Sequence, residues 1–192
     1  MSDSALRTMT EEEYLRIEER SPFKREYVWG FVYALHGDDT PTAQAGATSR
    51  HGLICGNIQA ALHRPAKTSD CRLYQSDMKV LISQFSSVRY YPHLVLTCGP
   101  VDDAATSLDS RCLITEVLSP STRDLDRREK LLAYTTLRSL QGYLLVDTAM
   151  RAARLYTRAG ERLNEHYLED TGTPALPCVD VLLSLNETST AA

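Results

Sequence analysis

Leu113-Ile-Thr-Glu-Val-Leu118 is an apolar, β-branched run with an acid in its middle, and it constrains the chain more than any other stretch. Such a run reads as a buried strand. Glu116 lies inside it, where an ionised carboxylate is costly unless it is paired, hydrogen-bonded or bound to a metal. The chain continues as Ser119-Pro-Ser-Thr122 and then Arg-Asp-Leu-Asp-Arg-Arg-Glu-Lys130. A helix opening at Ser121 would carry Asp126 and Lys130 four residues apart, on one face. The fold must therefore seat a carboxylate on a central strand beside a cation from the next helix. That arrangement suits phosphodiester hydrolysis, although Asp126 and Lys130 alone would equally suit an ordinary i, i+4 ion pair.

The remaining pattern supplies the layers around this strand. Thr10-Glu-Glu-Glu13 is a capping box, and the helix it opens runs to about Arg20, before Ser21-Pro22. Lys24 to Leu35 reads as a hairpin turning at Trp29-Gly30. A loop from His36 to Gly46 precedes a helix from Ser49 to His63, whose Leu53, Ile54, Ile58, Ala61 and Leu62 fall at helical spacing. Strands are expected at Arg72 to Ile82, Tyr90 to Cys98 and Cys112 to Leu118, with Gly99 to Ser110 as a loop. The helix from Ser121 to about Arg138 follows, then strands near Tyr143–Asp147, Ala153–Arg158 and Arg162–Leu168. The result is a mixed α/β (α+β) layout, with a central mixed sheet flanked by helices. One domain is expected over residues 1–192, ordered from about 10 to 185, with a frayed tail after Asn186.

Composition narrows the function classes. The 192 residues are 43% hydrophobic and 24% charged, with a formal net charge of −4. That balance weighs against a broad, non-specific nucleic-acid surface, but not against a nuclease with local DNA contacts. No apolar run approaches the ~18 residues needed to span a bilayer, and the first residues lack the apolar core of a signal peptide. The expected location is the cytoplasm, with no membrane association. The cysteines, Cys55, Cys71, Cys98, Cys112 and Cys178, are odd in number and form no C-x-x-C. Reduced, structural thiols are therefore expected. No glycine-rich nucleotide-binding motif is present.

Cleaving a phosphodiester requires charge stabilisation, an activated water and help for the leaving oxygen. Mg²⁺ held by carboxylates supplies all three, and a nearby lysine neutralises developing charge. Glu116 offers one carboxylate. On the expected neighbouring strand, the matching position is His93, after Pro92. Lys130 lies downstream of Glu116, on the helix. Asp77, within a strand, and Glu26, opening the hairpin, are further acids. His51 and His63 read as helix-face histidines.

At these residues the chain resembles a known family. KREYVWGFVYAL, SRHGLICGNI, YQSDMKVLI, YYPHLVLTC, ITEVLSPSTRDLDRREKLLAY and GYLLVDT occur in the order of the bacterial Uma-type restriction endonucleases, a group within the PD-(D/E)XK nuclease superfamily. The resemblance spans about Thr10 to Leu185. It implies a restriction-endonuclease-like fold, DNA as substrate and a divalent-metal site using Mg²⁺ or Mn²⁺. A homodimer fits an enzyme that cuts both strands. Among the metal ligands it implies Glu116 and the carbonyl of Val117, with Lys130 as a catalytic lysine displaced from the strand to the helix. Asp77 and Glu26 join as further candidate catalytic acids. The family's YPD is Tyr91-Pro-His93 here, so His93 stands where the metal-bridging aspartate belongs. A site holding Mg²⁺ at about millimolar strength has only ~4 kcal/mol of binding energy, so losing one of two carboxylates could abolish it. Imidazole still ligates softer ions. The alternative is an inactive nuclease-fold module that binds nucleic acid or a protein partner.

Overall fold

The computed structural model describes residues 8–35, 48–82, 87–119 and 126–189. In chain order, α1 (Glu11–Glu18) precedes β1 (Arg25–Val28) and β2 (Phe31–Ala34), and α2 (Ser49–Thr68) follows. Next come β3 (Cys71–Gln75), β4 (Lys79–Leu81), β5 (Val88–Tyr90), β6 (Leu94–Cys98), β7 (Ser107–Leu108) and β8 (Leu113–Leu118). A single π-helical turn, Asp126–Lys130, leads into α3 (Leu131–Thr135). The chain closes with β9 (Gly142–Asp147), β10 (Ala152–Ala159), β11 (Arg162–Glu169), β12 (Ala175–Leu176), β13 (Val181–Leu182) and α4 (Leu185–Ser189).

The central sheet has six strands in the order β11-β10-β9-β8-β6-β3, and a second sheet runs β2-β1-β5-β4-β7. β8 pairs with β9 in parallel and with β6 in antiparallel. Side chains alternate across the central sheet, as the strand period of two requires. Leu94, Leu96, Leu113 and Val117 pack with Ile54, Ile58 and Leu62 of α2. Val95, Ile114 and Leu118 pack on the other side with Tyr134 of α3 and with Val80, Val88 and Tyr90 of the second sheet. β8 is buried at every position because both of its faces are covered. Glu116 shares a face with Ile114 and Leu118, and so points toward the second sheet.

The structure departs from the sequence reading at several joints. The expected strand from Arg72 to Ile82 is two strands in different sheets. Ser76, with φ of 51°, breaks it, and the Ser76 N–H turns to the carbonyl of His93 (3.0 Å). Tyr90 to Cys98 is likewise divided: β5 belongs to the second sheet and β6 to the central one, with Pro92 between them. Proline donates no ladder hydrogen bond, so the crossing falls there. The expected loop from Gly99 to Ser110 contains β7. α2 continues past Pro65 to Thr68, and its late residue Ala66 is buried. The predicted helix start at Ser121 lies outside the described residues, and α3 ends at Thr135 rather than Arg138. Residues 186–189 are helical rather than frayed, because Leu185 and Thr188 are buried and Asn57 Nδ2 donates to the Glu187 carbonyl (3.2 Å). The cysteines also correct the expectation: Cys71 pairs with Cys98 and Cys112 with Cys178, leaving Cys55 free. Cys71 and Cys98 are direct partners across β3 and β6, a register the spacing alone did not reveal.

Candidate active site

A polar cluster is buried where the chain crosses between the two sheets. The β6–β8 register pairs Leu94 with Thr115. One step further, His93 faces Glu116, as the antiparallel ladder dictates. The contact is direct: His93 Nδ1 lies at hydrogen-bond distance from Glu116 Oε2, and the His93 backbone N–H donates to the same oxygen at 3.2 Å. The other oxygen, Oε1, accepts from Lys130 Nζ at 3.2 Å. Lys130 also reaches Glu26 Oε1 at 3.0 Å and Asp126 Oδ1 at 3.2 Å. Its ammonium lies 5.4 Å from the centre of the Tyr90 ring, where the face of the π-system adds attraction.

Each element positions its residue for a local reason. Glu26 lies on β1, with Tyr27 buried beside it, and accepts a second hydrogen bond from the Tyr91 N–H (3.2 Å). The π-helical turn holds both Asp126 and Lys130 inward, and both are buried. Tyr143 of β9 secures that turn by donating its hydroxyl to the Asp126 carbonyl (3.1 Å), and Tyr90 does so by donating to Glu129 Oε1 (2.8 Å). π-helical turns recur at functional sites because they redirect side chains within a helix.

Burial and pairing divide the electrostatics. Burial alone would raise the Glu116 carboxyl, but Lys130 and His93 outweigh it and hold the group down to about 2. Glu26 is raised above the usual carboxylate range, because burial outweighs its single cation, Lys130. Burial would lower Lys130, yet Glu116, Glu26 and Asp126 together lift it well above an ordinary lysine. The cluster thus sets one cation among three carboxylates, with the proton affinity of Glu116 lowered and that of Glu26 raised.

His93 also reaches outward. Its Nε2 lies 2.9 Å from Nε2 of His51, in the first turn of α2. His51 Nδ1 in turn lies 3.9 Å from the Cys55 sulfur. Val117, implied as a carbonyl ligand, is buried on β8, and its backbone nitrogen lies 3.4 Å from His93 Nδ1. Asp77 stands apart from the buried groups. Its side chain is 79% exposed, and it pairs with Lys24 in the break between β3 and β4.

Glu116, His93, Lys130 and Glu26 are therefore brought together. Asp126 joins them through the same i, i+4 spacing that could have marked a surface pair. His51 belongs to the cluster but read as a helix-face histidine. Its position three residues after the helix cap Thr48 gave no sign that the helix points its first turn at the end of β6.

Comparison with known proteins identifies the family and the fold. The model of the Uma2 family, described as "Putative restriction endonuclease", matches residues 11–186. Two uncharacterized proteins of Synechocystis are similar in sequence. One is 33% identical over 149 residues, covering 77% of this chain and 73% of that protein. The other is 28% identical over 156 residues, covering 80% and 83%. A crystal structure described as that of a "putative nuclease belonging to DUF820" from Anabaena variabilis superposes with a TM-score of 0.71 at 15% identity. It covers 94% of this chain and 97% of that one. No helix among the described residues is long and apolar enough to cross a membrane.

Proposed function

The chain belongs to the Uma2 family and has the restriction-endonuclease-like fold, and from that premise we propose that it hydrolyses phosphodiester bonds of DNA, as an endodeoxyribonuclease, at the polar cluster where its two sheets meet. The observation that carries the reading is Lys130 set between Glu116 of β8 and Glu26 of β1. Lys130, always protonated here, presents a fixed cation to the negative charge that grows on a phosphate in the transition state. Glu26 is the carboxyl suited to take a proton from an attacking water, since burial raises its proton affinity above that of an ordinary carboxylate. Glu116 anchors both Lys130 and His93, and so fixes the geometry.

The Mg²⁺ implied by the family does not suit this donor set. Mg²⁺ demands near-octahedral oxygen ligation. Both oxygens of Glu116 are engaged, one by Lys130 and one by His93, and an imidazole faces Glu116 where a second carboxylate would complete the pair. That substitution favours a second reading, a nuclease fold retained to bind nucleic acid or a protein partner.

Nicking of supercoiled plasmid separates the two. The nuclease reading expects cleavage in Mn²⁺, Co²⁺ or Zn²⁺, weak or absent cleavage in Mg²⁺, and loss in Lys130→Ala by about 100-fold or more, the scale of removing one preorganised charge. His93→Asp should restore Mg²⁺-dependent cleavage. No cleavage by either protein in any of these ions, with both folded, would leave the binding module standing.

A further inference from the structure

We propose that His51 and His93 together form a binding site for an imidazole-preferring divalent cation of the Zn²⁺, Co²⁺ or Ni²⁺ class, held through their two Nε2 atoms. The site adjoins the cluster of the proposed chemistry through His93, but it does not require that the chain cut DNA.

The first support is spacing. The two Nε2 atoms are 2.9 Å apart. Two nitrogens each ~2.05 Å from one ion are ~2.9 Å apart at a right angle, and ~3.3 Å apart at the tetrahedral angle. An ion could be received with a shift of a few tenths of an ångström. The rings meet edge-on, with an interplanar angle of 60° and centroids 4.7 Å apart, so the nitrogens rather than the ring faces confront each other.

The second support is orientation. Metal-binding histidines ordinarily give their other ring N–H to a carboxylate or carbonyl, which fixes the tautomer and makes the free nitrogen a better donor. Glu116 stands at His93 Nδ1 in that role. In the neutral tautomer that carries its proton on Nδ1 and donates it to Glu116, the lone pair of His93 lies on Nε2, facing His51. The His93 carbonyl accepts from the Ser76 N–H, and the backbone N–H of His51 donates to Thr48 Oγ1 (3.2 Å). Both residues are thus held at backbone and, for His93, at the ring.

The third support is access. The His93 side chain is 21% exposed, although its partner Glu116 is fully buried. Among the described residues no group of three or more His, Cys, Asp or Glu side chains is placed to hold a metal ion, so the pair would act as a two-ligand site. Two protein ligands leave several coordination positions open to water or to a phosphate oxygen. The competing account is a plain N–H···N hydrogen bond between two neutral rings.

Calorimetric titration of the EDTA-stripped full chain with Zn²⁺, Co²⁺ and Mg²⁺ decides between them, with the visible spectrum of the Co²⁺ form as a second readout. The expected result is one Zn²⁺ or Co²⁺ per chain and no measurable Mg²⁺. His51→Gln and His93→Ala should each weaken binding at least about tenfold, whereas His63→Ala, on the exposed side of α2, should leave it unchanged. Glu116→Gln should weaken it by about 10–100-fold, the range for removing a carboxylate behind a ligating histidine. If His93→Ala does not fold, His51→Gln carries the test. Absence of Zn²⁺ and Co²⁺ binding, or binding that survives His51→Gln, overturns the proposal. Because the readout is binding, an ion that binds without DNA cleavage sinks only the nuclease reading, and cleavage without such binding sinks only this site.

Discussion

Lys130 Nζ touches three buried carboxylates, at 3.0 Å from Glu26 and 3.2 Å from each of Glu116 and Asp126. Removing it should therefore cost far more than a surface ion pair, about 3–5 kcal/mol at neutral pH, because the acids are left buried without their counter-ion. The pH dependence gives the sharper test. In the natural chain Glu116 is held down to about 2, below its ordinary 4.5. A depressed carboxyl contributes stability that is present above about 4.5 and lost as pH falls toward about 2, on the order of 3 kcal/mol. In Lys130→Met the carboxyls lose the cation and their proton affinities rise, so the sign reverses and stability is gained on acidification. In the unmodified chain the raised Glu26 opposes the loss from Glu116, so urea midpoints measured from about pH 7 to pH 3 should shift upward more, or fall less, for the variant than for the unmodified chain. Parallel curves would show that Lys130 does not govern these acids. Glu116 and Lys130 were legible in the sequence because an acid in an apolar run demands a partner. His93 was legible only as a substitution at a family position. His51 was not legible at all, since its role depends on where the first turn of α2 points.

The elements repeat that lesson at larger size. Periodicity located α1, α2, β8 and β9 well, because each buries a regular face. It missed that the two long central strands each change sheets, since an apolar run looks the same on either side of a crossing. The signals were single residues: Ser76 at positive φ and Pro92 between β5 and β6. The β1–β2 hairpin was read correctly from Trp29-Gly30, and its turn has positive φ at both residues, 56° and 90°. That conformation is strained for tryptophan, whose side chain is exposed, whereas asparagine tolerates it. Trp29→Asn should therefore stabilise the chain by a few tenths to about 1 kcal/mol. Gly30→Ala should cost about 1–2 kcal/mol from backbone strain alone, since a Cβ there would meet nothing closer than 3.6 Å. Thermal melts of the two variants should move in opposite directions. A loss of stability in Trp29→Asn would mean that the indole makes a contribution beyond the turn.

Across the whole molecule, two covalent ties join regions far apart in sequence. Cys112, just before β8, is bonded to Cys178 near the C-terminal end, 66 residues on, and Cys71–Cys98 closes 27 residues between β3 and β6. Free thiols were expected because composition suggests a compartment, whereas strand register decides which sulfurs meet. On the chain-entropy account, the longer tie stabilises by about 4 kcal/mol and the shorter by slightly less, with less than 1 kcal/mol between them. The shorter tie has a further consequence for His93. It anchors the start of β3, and the turn leaving β3 holds the His93 carbonyl through Ser76. Cys71→Ala/Cys98→Ala should therefore loosen His93 as well as lower the melting temperature, whereas Cys112→Ala/Cys178→Ala should lower the melting temperature with less effect on His93. Amide exchange at Ser76 and His93 distinguishes the two variants. Thiol counting by mass under denaturing, non-reducing conditions provides the direct check. The ties predict one alkylated cysteine, Cys55, before reduction and five after it. Burial pushes the Cys55 thiol up to about 12, so it should stay unmodified while the protein is folded. Five alkylated cysteines without reductant would show that both ties are absent, and melting with and without dithiothreitol would then coincide.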